Sequence, residues 1–168
     1  SMIGALLLAI FLVYVVMAAQ FESLVQPFVI LFTVPLALIG VVLSLDTLGI
    51  PISVVVFIGA IMLAGIVVNN AIVLVDYANI MRKRGKTIHE ALVTAGERRL
   101  RPVLMTASTT MFGMLPLALS RGEGAEGWTP LGVAMIGGLL VSTIITLVLV
   151  PVIYSIFEGR KERRRAKA

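Results

Sequence analysis

Gly65-Ile66-Val67-Val68-Asn69-Asn70-Ala71-Ile72-Val73-Leu74-Val75-Asp76-Tyr77 decides what kind of molecule this chain is. The stretch lies inside an apolar run from Ile52 to Tyr77, too long for an ordinary soluble helix, yet it carries two adjacent amides and a carboxylate. An acid at mid-depth in hydrocarbon costs roughly 2.5–3.5 kcal/mol, so such groups persist where they face a bundle interior, a water-filled path or the interface. Asn69 and Asp76 are seven residues apart, about two helical turns, which puts them on one face of a helix.

Similar apolar runs flank it on both sides. A spanning helix needs about 20 predominantly apolar residues, and runs of that kind cover residues 2–19, 27–45, 52–77, 102–120 and 128–157. Pro35 predicts a kink in the second, and Trp128 and Tyr154 bracket the last as interfacial aromatics would. Between the third and fourth runs, Thr87-Ile88-His89-Glu90 has the form of a capping box, with Thr87 as N-cap and Glu90 reaching back. Ile88, Ala91, Leu92 and Ala95 then recur at helical spacing, which predicts a short amphipathic helix over 88–97 on the membrane surface. The expected fold is all-α: a polytopic membrane bundle of five transmembrane helices in one domain over 1–168. A short cytoplasmic amphipathic helix and a basic tail over 158–168 complete it.

Composition agrees. Hydrophobic residues make up 59% of the chain and charged ones 14%, against about 25% charged in an ordinary soluble domain. Mean hydropathy is +1.06. With no cysteine and only His89, the sequence offers no metal centre, and nothing in it calls for a cofactor. The net charge of +5 is not a nucleic-acid footprint, because of where it sits. Seven of the 14 Lys and Arg lie between Arg82 and Arg101, six lie between Arg160 and Lys167, and one is Arg121. Basic clusters beside apolar runs are the positive-inside signal. They place the 82–101 loop and the tail in the cytoplasm, and the turns at Asp46 and 121–127 outside. With five spans the N-terminus is then outside and the C-terminus cytoplasmic. The first apolar run has no basic leader, so the chain is expected to be part of a longer protein.

Three constellations remain. Asn69, Asn70 and Asp76 either bridge helices or line an ion or proton path, and Asp76 can equally mark the helix end at the headgroups. Arg99, Thr106, Thr109 or Thr110, and Gly113 align on one face of the fourth run. There Arg99 serves as a topological anchor or as the mouth of a polar stripe opposing Asn69, with Gly113 permitting close helix approach. Ala134-xxx-Gly138-xxx-Ser142 is a small-residue packing face, and Ala60-xxx-Ala64 and Gly40-xxx-Ser44 resemble it. No nucleophile–base set and no phosphate loop is present, so an enzyme is not expected. Neutral amides carry no titrating proton, and no carboxylate lies mid-span, so any relay needs an acid from another segment.

The Gly65–Tyr77 stretch, the basic loop after it and Arg98-Arg99-Leu100-Arg101-Pro102-Val103-Leu104-Met105-Thr106 resemble the resistance–nodulation–division efflux pumps of the hydrophobe/amphiphile type. Phe21-Glu22-Ser23 with Pro27-Phe28, Pro116, the Gly-rich turn and Pro151-Val152 fit the same family. The resemblance covers almost the whole chain and corresponds to the last five of the family's twelve helices. It implies a proton-driven exporter of drugs and other amphiphiles in the inner membrane, trimeric, with a periplasmic adaptor and an outer-membrane channel, so that the outside, where the N-terminus lies, is periplasmic. It implies a proton relay through Asn69, Asn70, Arg99 and Thr106, facing an acid on the family's fourth helix. Many members carry Lys where this chain has Asn69, so the charge balance here should differ. The chain by itself is expected not to transport. It would pair with the other half of the pump or with itself through the same face, and a non-transporting, self-associating scaffold is the alternative reading.

Overall fold

The computed structural model describes residues 2–21, 23–122 and 124–165. Ser1, Glu22 of the loop motif, Glu123 of the acidic turn and the last three residues of the basic tail lie outside the described residues. The chain is an all-α bundle: α1 Met2–Phe21, α2 Val25–Leu31, α3 Thr33–Leu48, α4 Val54–Lys83, α5 Ile88–Ala118 and α6 Ala125–Arg165.

Residues 25–48 form one span, broken at Phe32 into α2 and α3. Pro35, in the first turn of α3, has no N–H to offer the carbonyl of Leu31, and its ring crowds that carbonyl. The break therefore falls three residues before the proline that causes it. Thr33, buried at the break, turns its hydroxyl back to Ile30 O at 2.6 Å. At the far end Gly49 takes a left-handed conformation, φ 65°, and closes α3 with its N–H on the Asp46 and Leu45 carbonyls.

The separate surface helix expected over 88–97 is instead the first third of α5, which runs unbroken from Ile88 to Ala118 through Pro102. The capping box forms, with Thr87 accepting from Glu90 N and Glu90 accepting from Thr87 N. Beyond it Ala91, Leu92 and Ala95 bury inward rather than lying on a lipid surface, so the pattern read as amphipathic packs on protein. Likewise α4 continues to Lys83, past the expected end at Tyr77. Among the described residues four spans are long and apolar enough to cross a membrane: Ile3–Phe21, Val25–Leu48, Val54–Lys83 and Gly127–Arg160. α5 is the fifth long helix but is less apolar, because Thr106, Ser108, Thr109, Thr110 and two prolines dilute its inner half.

α6 is the central post, packed against α3, α4 and α5. Its contact with α3 depends on missing side chains. A Cβ at Gly40 would come within 2.7 Å of Val141 Cβ, one at Gly137 would overlap Ser44, and one at Gly138 would overlap Leu63 and reach 2.8 Å from Val41. Ala134 and Ser142 on the same stripe are buried, and Ser142 donates to Leu139 O at 3.1 Å. Gly113, by contrast, is exposed on the outward face of α5, and a Cβ there would meet nothing. Within this chain it mediates no helix approach. The core forms two layers. One gathers Val41, Leu63, Val67, Ala107, Met135 and Leu139, and the other gathers Met17, Ile30, Leu74, Ala78, Leu92 and Tyr154. α1 contributes little to either, and its long apolar face is left uncovered.

Candidate functional site

Along α4 the exposed positions are Val54, Ile58, Met62, Gly65, Asn69, Asp76, Ile80 and Lys83. Their spacing of three, four or seven is one continuous stripe at 3.6 residues per turn. Asn69 and Asp76 therefore do share a face, and it is a face that no other helix of this chain covers. On one flank of the stripe Ile61, Ala64, Gly65 and Val68 look toward α1 residues Ala9, Ile10 and Val13. On the other flank stands α5, where the Arg99 guanidinium lies over the Tyr77 ring, 5.1 Å from its centroid.

That contact sets the register between α4 and α5, which run antiparallel through the turn at residues 84–87. Asn70 is seven residues before Tyr77 and Thr106 seven after Arg99, so both lie at about the same depth, roughly 10 Å further into the bundle. Asn70 is half-buried and shares the Tyr77 side of α4, while Thr106 is exposed and donates to its own helix at Pro102 O, 3.0 Å. Thr110 repeats this with Thr106 O at 2.9 Å. Neither Asn69 nor Asn70 is hydrogen-bonded to another side chain among the described residues, and the buried Arg99 Nε has no partner there either. Asp76 sits two turns from the end of α4, at the edge of a cavity lined also by Gln20, Gln26, Asn79, Lys83 and Lys86. The polar residues expected from the sequence thus stand along an open face between α1 and α5, floored by α4.

The structure adds a second polar group that sequence reasoning missed. Asn79 Nδ2 donates to Gln26 Oε1 at 2.9 Å, Gln26 Nε2 donates back to Asn79 Oδ1 at 3.2 Å, and Tyr154 OH donates to the same Oδ1. This ties α2, α4 and α6 together at the basic end. Tyr154, expected at an interface, is 1% exposed, whereas Trp128 is 58% exposed. Beside the amides, Arg82 pairs with the buried Glu158 at 2.8 Å. The one available signal was Asn79, on the helix face of α4 beyond the expected end of the span. At the start of α5, the Thr87 backbone N–H and then its hydroxyl hold the Glu90 carboxyl below the usual carboxylate range.

A bundle of long apolar helices, centred on a glycine-packed post and bearing an uncovered polar stripe, is that of a polytopic integral membrane protein. The chain belongs to the AcrB/AcrD/AcrF family of resistance–nodulation–division efflux transporters, which it matches over residues 1–158. It is 42% identical to the multidrug resistance protein MdtC of Proteus mirabilis over 164 residues, 97% of this chain and 16% of that protein. Against MdtC of Pectobacterium carotovorum it is 42% identical over 166 residues, 98% of this chain and 16% of that protein. The crystal structure of a heavy metal efflux pump superposes with a TM-score of 0.82 at 37% identity, over 89% of this chain and 15% of the pump chain. The chain spans 16% of the length of those curated relatives.

Proposed function

We propose that this chain forms part of the membrane domain of a proton-driven exporter of drugs and other amphiphiles. In that reading Asn69, Asn70, Arg99 and Thr106 line one wall of a proton relay. The observation that carries it is the open face itself: Asn69 and Asn70 on α4, hydrogen-bonded to no other side chain among the described residues, with the Thr106 hydroxyl of α5 at matching depth and the Arg99 guanidinium about 10 Å nearer the basic end. Amides and hydroxyls orient a carboxylate or a hydrated proton but do not titrate, so the acid is supplied by a helix outside these 168 residues. The multidrug-resistance relatives favour organic amphiphiles as cargo. No cofactor is invoked, because the proton gradient supplies the energy. The basic end faces the cytoplasm and the acidic turns face the periplasm, in the inner membrane. The working assembly is a trimer joined to a periplasmic adaptor and an outer-membrane channel. In a family pump carrying these residues, Asn69→Leu and Thr106→Val should each cut drug export by about tenfold, the equivalent of one lost hydrogen bond, at unchanged membrane abundance. Undiminished export in both variants would overturn the assignment.

A second reading applies to the 168 residues by themselves: a self-associating bundle that moves nothing. It is favoured by the absence of any carboxylate in the middle of a described spanning helix. Purified chain in liposomes holding a pH-sensitive dye separates the two, since proton-coupled flux would remove the scaffold reading.

A further inference from the structure

At the basic end of the bundle α1 and α4 stand apart. Between them opens a cavity of about 500 Å³ in which Arg82, Lys83 and Lys86 are set against one carboxylate, Asp76. Arg82 is committed to Glu158. Lys83 and Lys86 are exposed and, among the described residues, in no ion pair. Lys86 is brought to the cavity by Gly85, whose φ of 86° turns the chain so that Lys86 N donates back to Met81 O at 3.3 Å. Its ammonium donates once, to Thr94 Oγ1 of α5 at 3.0 Å, and acts on the nearby exposed Glu90 carboxylate, with further donors left available. Gln20, exposed at the end of α1, supplies a neutral donor on the opposite wall.

The same α1–α4 seam continues away from the basic end as an apolar crevice of about 70 Å³, where Ala9, Ile10 and Val13 face Ala64, Gly65 and Val68. Along α1 the step from Gln20 to Val13 is about 10 Å, and along α4 the step from Lys83 to Val68 is about 22 Å. A wide cationic mouth and a narrow apolar slot therefore lie in line along one seam, running with the helices across the membrane. Free phosphate matches only the mouth, and a zwitterionic lipid brings a second cation against the lysines. We propose that this seam binds one anionic phospholipid, with its phosphate held by Lys83 and Lys86 and an acyl chain in the crevice. The site stands on residues apart from Asn69 and Thr106, so it holds or fails independently of the relay.

The test is native mass spectrometry of the full chain released from nanodiscs of equal dioleoyl phosphatidylglycerol and dioleoyl phosphatidylcholine. One phosphatidylglycerol should remain bound in preference to phosphatidylcholine, and retention should fall as salt rises. Each lysine at an anionic headgroup contributes about fivefold, so Lys83→Ala with Lys86→Ala should lower retention by about thirtyfold. Lys83→Arg with Lys86→Arg should keep it, as should Arg121→Ala at the opposite end. Equal retention of the two lipids, a double alanine variant that retains phosphatidylglycerol as before, or displacement of the lipid by millimolar inorganic phosphate would each overturn the proposal. The salt series needs only the unaltered chain, so it remains decisive where a variant misfolds: retention indifferent to salt also counts against the site.

Discussion

Gly137 and Gly113 both interrupt long helices, but their surroundings predict opposite responses to a methyl group. At Gly137 the methyl would strike Ser44 Cβ and lie 3.2 Å from Gly40 O, atoms close to the backbone that cannot swing aside. Gly137→Ala should therefore destabilise the bundle by about 1–3 kcal/mol. At Gly113 nothing is displaced, so Gly113→Ala should stabilise by up to about 1 kcal/mol through helix propensity. Unfolding in mixed micelles followed by circular dichroism reads both, and equal effects would refute the glycine-dependent contact of α3 with α6. Thr87 and Glu90 behave differently, because their interaction is local and titratable. The Glu90 carboxylate is held below its ordinary pKa by Thr87, so its stabilisation of the α5 start is present above the ordinary value of 4.5 and is lost as pH falls through the lower folded value. Amide protection in the first turn of α5, taken relative to the intrinsic exchange rate at each pH, should fall on acidification in the native chain but not in Glu90→Gln. Thr87→Ala should open the same turn at neutral pH, at a cost of about 1 kcal/mol. This cap is legible in the sequence because every participant lies within four residues.

Elements are harder to read than caps, and α5 shows why. Pro102 reads as the start of a span, yet the helix formers on both sides carry the helix through it, and the buried face of Ala91, Leu92, Ala95, Val103 and Ala107 packs continuously on its neighbours. Helical periodicity is visible in the sequence, but whether lipid or protein covers the apolar stripe is not. The amide pair at the basic end is hidden for another reason: Gln26 and Asn79 are 53 residues apart, and Tyr154 is 75 beyond Asn79. No local pattern announces such a pairing. The pair is part-buried, so water reaches it and the lower range of interhelical values applies. Asn79→Leu should cost about 0.6–1 kcal/mol by leaving Gln26 without its partner. The double variant Gln26→Leu with Asn79→Leu should recover the part of that loss due to the Gln26 amide, while the Tyr154 hydroxyl still loses its Asn79 acceptor. A double-mutant cycle with no coupling would show that the two amides act separately.

Across the whole molecule the sequence places the polar residues on the right helices but does not say whether they look inward or outward. Asn69 reads as a buried amide on a single chain, because lipid is an unfavourable neighbour for it. In the structure it is exposed, midway between the flank that meets α1 and the flank that meets α5. A polar residue in mid-helix, with Val54, Ile58 and Met62 on one side of it along the stripe, is costly against acyl chains but favourable against another helix that brings a hydrogen-bonding group. The physical expectation is that this face is covered in the working protein. The chain has no cysteine, so Asn69→Cys carries a single spin label without further changes. With the chain alone and dilute in bilayers, the label should collide freely with lipid-dissolved oxygen. When the N-terminal helices of a family pump are co-expressed, that accessibility should fall severalfold. A label at Ile144→Cys, 60% exposed on the outward side of α6, should change little. A label at position 69 that stays as accessible to oxygen in the assembled pump as in the chain alone would mean that no acid-bearing helix docks there, and the proton-relay reading would fall with it.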